Sequence, residues 1–498
     1  MGKTVIIGGG VAGLTAGIYG RLSGLDCIII EKNKFTGGNL TGWERKGHYI
    51  DNCLHWLNGT KNGSELNNIW RTVGMLSDDI KLIKMSAFYS VERRGQKISL
   101  FRNTEKTLKA MCDISPIDEE ESKKFINAVR LMVCFNNKDF LGKLSVFHLV
   151  PLIIGYSKIT LGELAKKFKH PLLSALMTDY FSPNLSALSL IIAYSAFVCG
   201  DADVPVGGSK EAAKRMENRY LALGGKLITS CEAKEMIIEG KRVVGVRLGN
   251  GNTVKADRVI ACCDPSFTFG KLVPEFYMPS KLRRAYKSRE QMPIFSAIQA
   301  AFSCDLSDDI PQNPVAFDID SFNIEGREVD RMLIKPYRPS EVKMPEGKAV
   351  LQVMFYLYEN EAARWIRLYE NKEKYRDLKN KFADEVAKRI INHYPSLQKS
   401  LKLLDVWTPA SYKRYFNSNK GAFLSFAITP GRAMIFNVPS KIKGIDNLYI
   451  ATQWQKSIGG LPNAALNAKR SINQLTKSLK KKKTTPKIIK YSSPVLQY

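Results

Sequence analysis

The alternation of apolar runs with glycine and polar segments near the start of the chain predicts a strand, a turn, a helix and a second strand. Residues 5–7 are apolar, a glycine-rich stretch follows, residues 14–23 have a helical pattern, and residues 27–30 are apolar again. Strand, helix and strand in this order form a βαβ unit, in which the two strands run parallel. This region is therefore predicted to be an α/β fold.

A second α/β block is predicted near residues 205–265. A helix is expected over residues 210–223, and short apolar runs indicate strands at 226–228 and 243–248. Residues 249–252 read Gly-Asn-Gly-Asn, a strong hairpin turn, and strands are expected on its far side at 253–255 and 258–261. The block at residues 448–479 repeats the order of strand, glycine-containing loop and helix.

The region between the α/β blocks has a different pattern. Residues 105–204 are predicted to be mostly helical, and residues 144–157 and 180–200 contain no Asp, Glu, Lys or Arg. The second stretch is long enough to span a membrane, but its serines, proline and asparagine make it a poor span, so buried helices lining an apolar cavity are favoured. Strands are predicted within residues 290–358, and one amphipathic helix is predicted over residues 361–392.

The composition is that of a folded, basic protein. The 498 residues include 75 Lys plus Arg against 47 Asp plus Glu, and 44% of the residues are hydrophobic. Such apolar content excludes a disordered chain, and the length allows two to four domains at roughly 100 to 200 residues each. The formal charge of +28 implies an acidic partner. Nucleic acid is not expected, because no basic stripe with interleaved aromatic residues is present.

The positive charge is spread along the chain, but the tail, residues 477–498, carries a run of lysines. No acidic residue follows Asp446, and the tail combines a lysine run with apolar residues. An anionic membrane surface is the predicted partner, since each Lys near lipid headgroups contributes about 1 kcal/mol. A solvated, frayed terminus explains the same residues equally well.

The nine cysteines and the beginning of the chain bear on the compartment. The cysteines are odd in number, irregularly spaced and without a CxxC motif, so a disulfide framework, a zinc site and an iron–sulfur site are not expected. No metal ligand set is predicted. No charged leader with an apolar stretch precedes the first strand. Together with the tail, these features predict a cytoplasmic protein that associates peripherally with a membrane.

The glycine-rich turn carries the first chemical signal. Gly8, Gly10 and Gly13 form a GxGxxG pattern, and Glu31 stands at the end of the next strand. The glycines permit a tight turn, close approach of a pyrophosphate and close packing of helix on strand, and Glu31 suits the hydroxyls of a ribose. Val11 and Ala12 open the helix whose N-terminus faces the phosphates. The pattern predicts an adenine dinucleotide, FAD or NAD rather than NADP.

Later segments separate FAD from NAD. Residues 32–40 and 47–57 resemble the second glycine motif and the following strand of flavin amine oxidases and phytoene desaturases. Residues 204–209, 257–265 and 447–465 resemble further segments of the same family in order and spacing. The family resembled is the phytoene desaturase type of flavoprotein, which includes carotenoid desaturases, carotenoid isomerases and retinol saturases. The resemblance implies FAD as the cofactor.

The resemblance also implies an architecture. The expected fold is α/β, with a Rossmann-like FAD-binding domain of the glutathione-reductase type, as in amine oxidases, and an inserted α+β substrate domain. The FAD domain is expected to be discontinuous, over residues 1–104, 205–270 and 411–476. Residues 105–204 and 271–410 are expected to form the substrate and membrane-associating domain.

The cofactor-binding residues implied by the family motifs lie in two groups beyond the glycine turn and Glu31. They are Lys32, Gly38, Asn39, Leu40, Gln453, Leu461, Pro462 and Ala464. Pro462 is suited to the first turn of a helix, whose N-terminus would stabilise the negative charge of a reduced flavin. Asn39 departs from the family, where this position is usually basic, and Arg45 or Lys32 would have to compensate.

Catalytic residues are harder to predict, because hydride transfer requires position more than acid–base chemistry. His55, Trp454 and Tyr194 are the candidates. The leading hypothesis is an FAD-dependent oxidoreductase that desaturates, saturates or isomerises a carotenoid-like or retinoid-like polyisoprenoid. A flavin amine oxidase acting on a small amine is one alternative, and a lipid-binding protein with a non-catalytic flavin is another. The direction of the reaction, the substrate and the redox partner stay open.

Overall fold

The computed structural model of the chain describes residues 2–137, 151, 154–427, 429–431, 436–456 and 459–484. Its strands are β1 (Lys3–Ile7), β2 (Asp26–Ile30), β3 (Gly42–Arg45), β4 (His48–Asp51), β5 (Leu57–Asn58), β6 (Leu82–Ile83), β7 (Ala87–Arg93), β8 (Gln96–Phe101), β9 (Ala202–Pro205), β10 (Lys226–Ile228), β11 (Ala233–Glu239), β12 (Arg242–Leu248), β13 (Thr253–Lys255), β14 (Arg258–Ala261), β15 (Ser296–Asp305), β16 (Val315–Ile324), β17 (Arg327–Tyr337), β18 (Lys348–Leu357), β19 (Lys402–Trp407) and β20 (Leu448–Ile450).

The helices are α1 (Val11–Leu22), α2 (Glu65–Thr72), α3 (Thr104–Ile114), α4 (Glu119–Asn137), α5 (Leu161–Ala165), α6 (Pro171–Thr178), α7 (Leu188–Val198), α8 (Gly208–Ala222), α9 (Pro265–Phe267), α10 (Ser280–Lys287), α11 (Glu359–Leu368), α12 (Lys372–His393), α13 (Pro409–Phe416) and α14 (Gly460–Thr484).

A parallel sheet forms the first layer, with the strand order β10-β2-β1-β14-β20. Val5 and Ile6 at its centre are fully buried, since one side chain lies on each face of the strand and both faces are covered. Helices α1, α8 and α14 pack together against the sheet. The carboxyl ends of all these strands lie at one edge, and the glycine turn that follows β1 lies there too. The predicted α/β fold is confirmed.

A second, mostly antiparallel sheet has the order β19-β15-β18-β17-β16-β7-β8. Strands β15 and β18 pair along their whole length, from Ser296 opposite Leu357 to Asp305 opposite Lys348. Helix α12 covers one face with apolar residues such as Phe382 and Val386. This arrangement leaves the other face available to line a cavity.

The boundary predicted at residue 104 differs from the observed sheets. Strands β7 and β8 belong to the antiparallel sheet, because Ser90 of β7 pairs with Val315 of β16. An apolar run predicts a strand, but its partner is set by contacts with residues far along the chain. The chain before Ala87 therefore contributes only β1 and β2 to the parallel sheet.

The single helix predicted over residues 361–392 is two helices, α11 and α12. The helical conformation is interrupted between Leu368 and Lys372. There the side chain of Asn371 accepts a hydrogen bond from the backbone N–H of Lys374 at 3.1 Å. A side chain that caps a backbone N–H in this way favours the start of a new helix over continuation of the preceding one. The apolar periodicity continues across the break, so it does not reveal the interruption.

The middle region is helical, as predicted, and surrounds a large apolar cluster. Within residues 180–200, only Leu188–Val198 form a helix, and Leu185 lies in the turn before it. Among the residues that the structure describes, no helix is long and apolar enough to cross a membrane. Residues 144–150 and residues 485–498 of the basic tail lie outside the described residues.

Candidate functional site

The turn after β1 packs tightly against its own helix. A Cβ atom added at Gly13 would lie 1.8 Å from the carbonyl oxygen of Gly8, so only glycine allows α1 to approach the turn this closely. Gly8 has a φ of +100°, in the left-handed region that glycine adopts most readily. Gly10 caps α1 and has no side chain to occupy the first N–H groups of the helix. A helix N-terminus exposed in this way is suited to a phosphate.

The second glycine motif lies directly beside the first. The N–H of Gly37 donates to the carbonyl oxygen of Gly9 at 2.8 Å, and Gly10 and Gly37 form a parallel β-bridge. Gly37 has a φ of +107°, and a Cβ atom there would lie 2.3 Å from the carbonyl oxygen of Leu40. The two motifs therefore form one backbone surface without side chains, which a dinucleotide can approach closely.

Glu31 lies at the carboxyl end of β2, next to this surface. Its Oε2 accepts a hydrogen bond from Gly9 N at 2.7 Å, and its Oε1 accepts from Asn33 N at 2.8 Å. Burial raises the pKa of this carboxyl, and the hydrogen bonds oppose that effect. Oε1 also accepts from Nδ2 of Asn33 at 2.9 Å, whereas Oε2 has a further lone pair, so Glu31 can still accept a hydrogen bond from a ribose hydroxyl through Oε2.

Asn39 stands where the family usually has a basic residue, and of the two candidates to compensate for it, Lys32 borders the cavity and Arg45 does not. Lys32 lines the cavity described below and donates to the carbonyl oxygen of Arg414 at 2.7 Å. Arg45, at the end of β3, instead pairs with Asp405 at 3.1 Å. Among the described groups, Oδ1 of Asn39 is buried without a hydrogen-bond partner. An unsatisfied acceptor at this place is consistent with a ligand that donates a hydrogen bond.

The start of α14 borders the same space. The N–H of Gly460 donates to Oε1 of Gln453 at 2.6 Å, so Gln453 holds the loop to the helix start. Pro462 lies in the first turn, where its fixed φ suits a helix and its missing N–H removes no helical hydrogen bond. This helix start is a second partial positive charge beside the cavity.

One cavity of about 590 Å³ joins these features. The predicted cofactor residues that line it are Gly8, Gly10, Val11, Ala12, Glu31, Lys32, Gly38, Asn39, Leu40, Gln453, Leu461, Pro462 and Ala464. Gly13 is the exception, because it packs α1 against the turn. The structure thus brings together residues that are up to 456 positions apart in the sequence, as Gly8 and Ala464 show.

The three catalytic candidates lie in different surroundings. His55 lines the cavity, and burial together with the nearby charge of Lys335 lowers its pKa to about 3, so its imidazole is neutral at neutral pH. Trp454 also lines the cavity and packs against Phe426, with ring centroids 4.9 Å apart.

Tyr194 is placed elsewhere, in the apolar cluster of the middle region. Its hydroxyl donates to the carbonyl oxygen of Phe101 at 2.6 Å and shares a 2.8 Å hydrogen bond with Thr107. These contacts tie α7 to β8 and α3. The structure therefore favours a structural role for Tyr194, because its one hydroxyl is already held by two protein groups.

The part of the cavity away from the glycine motifs is apolar and aromatic. Its wall is formed by Trp56, Tyr180, Phe181, Leu185, Ile192, Phe295, Leu333, Met354 and Tyr356. The rings of Trp56 and Tyr180 lie 5.6 Å apart and those of Tyr180 and Phe181 lie 5.2 Å apart. We call this set the aromatic wall. Surfaces of this kind bind hydrocarbon by excluding water.

Among the polar residues of the cavity that sequence reasoning missed, Lys335 and Gln352 are the two that lie side by side. Lys335 is 7% exposed, and burial lowers its pKa to about 8. Gln352 is 5% exposed and donates from Nε2 to the carbonyl oxygen of Asp51 at 2.8 Å. The available signal was a single lysine inside the apolar end of β17. The alternation of side chains along a strand does not show which face borders a cavity. The lysine alone therefore did not identify a cavity residue.

The fold and site define a class of protein. A parallel sheet, a glycine turn opening a helix, a carboxylate at the end of β2 and a second glycine motif fit an adenine dinucleotide, and the start of α14 fits the flavin end of FAD. The chain belongs to the flavin containing amine oxidoreductase family, whose model matches residues 11–471. It is an FAD-dependent oxidoreductase, and the predicted family and cofactor are confirmed.

The individual relatives have low sequence identity to this chain. The chain is 24% identical over 467 residues to prolycopene isomerase of Daucus carota, covering 89% of this chain and 75% of that protein. It is 22% identical to 4,4'-diaponeurosporene oxygenase of Staphylococcus haemolyticus, covering 95% and 97% of the two chains. An oxidoreductase from Methanosarcina mazei has the same fold, with a TM-score of 0.61, 15% identity, and coverage of 95% of this chain and 100% of that one.

Proposed function

We propose that this protein acts on the C=C or C–C bonds of an apolar polyisoprenoid, such as a carotenoid or a retinoid, by hydride transfer with FAD. The observation that carries the proposal is the aromatic wall, which continues from the glycine motifs within one cavity. Apolar surface of this extent favours a hydrocarbon chain over a polar substrate. Two relatives named for prolycopene and for diaponeurosporene support the same substrate class.

When bound, FAD supplies a group that accepts or returns a hydride. The glycine motifs, Glu31 and the start of α14 would hold it, and the aromatic wall would orient the polyene and exclude water. Such a reaction depends on position rather than on an acid or base, and a neutral His55 agrees with this. Desaturation, saturation and isomerisation are all compatible with these roles.

The main competing function is oxidation of a small amine. Lys335 weighs against it, because a buried ammonium in the cavity repels a cationic substrate where water does not screen the charges. Glu31, Glu232 and Asp264 do line the cavity, but Glu31 is proposed to bind the ribose of FAD, and Glu232 and Asp264 accept hydrogen bonds from protein N–H or O–H groups. A polyene therefore fits the charges of the cavity better than an amine does.

The proposal is tested by following the visible absorption band of the bound flavin without oxygen. We expect either NADH or NADPH, or an added polyene, to bleach it. Bleaching by nicotinamide indicates a saturase or an isomerase that uses reduced flavin, and bleaching by the polyene indicates a desaturase. Bleaching only by amines, with peroxide release in air, contradicts the proposal in favour of an amine oxidase. A flavin that none of these reduces indicates a lipid-binding protein with a non-catalytic flavin.

We further propose that the protein is cytoplasmic and associates peripherally with an anionic membrane, from which an apolar substrate would be taken. The support is the lysine run of residues 477–498, together with the apolar residues beside it. We expect the protein to sediment with anionic liposomes in low salt and to be released at high salt, because salt screens the attraction. Equal retention on DNA, or none on anionic liposomes, contradicts this proposal.

A further inference from the structure

Two neighbouring polar side chains are buried on the cavity face of the antiparallel sheet, which also carries apolar residues and the buried Gln299 of β15. Lys335 of β17 pairs directly with Gln352 of β18 in the ladder, so their side chains lie on the same face. Both residues line the cavity, and both are more than nine-tenths buried. Leu333 and Met354, which also line it, belong to the same two strands.

Lys335 has hydrogen-bonding capacity beyond its contacts with the protein. Its Nζ donates to the carbonyl oxygens of Leu54 at 2.7 Å and His55 at 3.2 Å, and lies 4.4 Å from the centroid of the Tyr337 ring. Within the described ranges, Nζ has no carboxylate partner within ion-pair distance. An ammonium group carries three N–H donors, so one remains for an acceptor in the cavity.

Gln352 has a free hydrogen-bond acceptor, which complements the remaining donor of Lys335. Its Nε2 is used by the carbonyl oxygen of Asp51, whereas its Oε1 is buried with no hydrogen-bond partner in the part of the chain that is described. A buried acceptor without a partner is unfavourable and is rare in native proteins. A donor supplied by a ligand would satisfy it.

A donor and an acceptor side by side in an apolar wall favour a ligand whose functional group both accepts and donates a hydrogen bond. A hydroxyl group accepts one hydrogen bond and donates another, so it can satisfy both residues at once. A carbonyl or an ether only accepts, and a hydrocarbon satisfies neither. We propose that Lys335 and Gln352 bind a hydroxyl group of the substrate, which makes the preferred substrate an isoprenoid alcohol. This inference rests on the proposed function, since it assumes that the aromatic wall holds an isoprenoid.

The flavin ring also carries an N–H donor beside carbonyl acceptors, so it too can donate to Gln352 and accept from Lys335. The position of the pair favours the substrate. Lys335 and Gln352 belong to the antiparallel sheet and share its face with apolar wall residues, whereas the glycine motifs and Glu31 belong to the parallel sheet. The experiments below distinguish the two sources.

The first experiment uses the wild-type holoprotein and therefore does not depend on how a variant folds. All-trans-retinol, its methyl ether and the hydrocarbon with CH₃ in place of CH₂OH are titrated, and binding is followed by quenching of protein fluorescence. We expect the alcohol to bind about tenfold more tightly than the hydrocarbon, with the ether between them, from two net hydrogen bonds. Equal affinities overturn this inference and leave the proposed function standing. Binding of none of the three overturns both.

The second experiment assigns the preference to the pair. Lys335→Met and Gln352→Leu are expected to lower the affinity for the alcohol about tenfold while leaving the affinity for the hydrocarbon within about twofold. Met354→Leu, a control on the same strand, is expected to change both affinities by the same factor. Variants that keep the alcohol preference overturn the inference. Loss of flavin, or a shifted flavin spectrum, with the preference retained assigns the pair to the cofactor and also overturns it.

Discussion

Replacing Gly13 with alanine is expected to give a protein that is purified without FAD. The added Cβ would lie 1.8 Å from the carbonyl oxygen of Gly8 and 3.0 Å from its carbonyl carbon. Both are backbone atoms, so no side chain can move aside, and α1 must shift away from the turn that we propose holds the phosphates of FAD. Overpacking of this kind destabilises by about 1 to 3 kcal/mol and by more when backbone must move. The flavin-to-protein absorbance ratio and thermal unfolding measure both effects.

Gly270→Ala is the matched control. A Cβ atom at Gly270 meets nothing within 4 Å, and its φ is not in the left-handed region. This variant is expected to keep its flavin and to change stability by no more than about 0.5 kcal/mol. A Gly13→Ala protein that retains a full complement of flavin with an unchanged spectrum would show that the close packing of α1 on the turn is not required.

Replacing Arg331 with methionine is expected to lower the free energy of unfolding by about 3 to 5 kcal/mol. Nε of Arg331 lies 3.0 Å from Oδ2 of Asp179, and the side chains of the two residues are 15% and 7% exposed. Without the guanidinium, the carboxylate of Asp179 is left buried and unpaired. Asp179 directly precedes Tyr180 and Phe181 of the aromatic wall, so the variant should also bind polyenes more weakly. Denaturant unfolding measures the first effect and ligand titration the second.

The double variant Arg331→Met, Asp179→Asn removes the uncompensated charge and is expected to recover more than half of the lost stability. Lys123→Met serves as the control for an ion pair, because Lys123 and Glu119 are 55% and 51% exposed. Exposed pairs contribute roughly 0 to 1 kcal/mol, so this change should have little effect. Equal stability of the single and double variants would contradict the role given to the buried charge.

Local sequence signals predicted the glycine turn and the helix starts that border the cavity. Gly8, Gly10 and Gly13 have roles that depend on their immediate neighbours, because a tight turn, a helix start and a close contact within the turn are all set within a few residues. The same holds for Pro462 in the first turn of α14. All four of these residues lie where the spacing predicts, at the carboxyl edge of the parallel sheet or beside it.

The substrate side of the site was predicted only as an apolar region. Lys335 and Gln352 were missed, and Tyr194, a catalytic candidate, is not among the cavity-lining residues and instead holds α7 to β8 and α3. Each of these outcomes depends on which face of a strand or helix borders the cavity. Periodicity gives the faces of an element but not what lies opposite each face.

The sequence by itself determined the βαβ unit, the glycine motifs, the carboxylate at the end of β2 and the apolar character of the middle region, because turn chemistry and periodicity act over short distances. Only the tertiary structure decided that β7 and β8 join the antiparallel sheet, that thirteen of the predicted cofactor residues line one cavity, and that an ammonium and an amide stand side by side in its wall. These features arise from pairings between residues far apart in the chain, and the free energy of such pairings depends on the whole packed core.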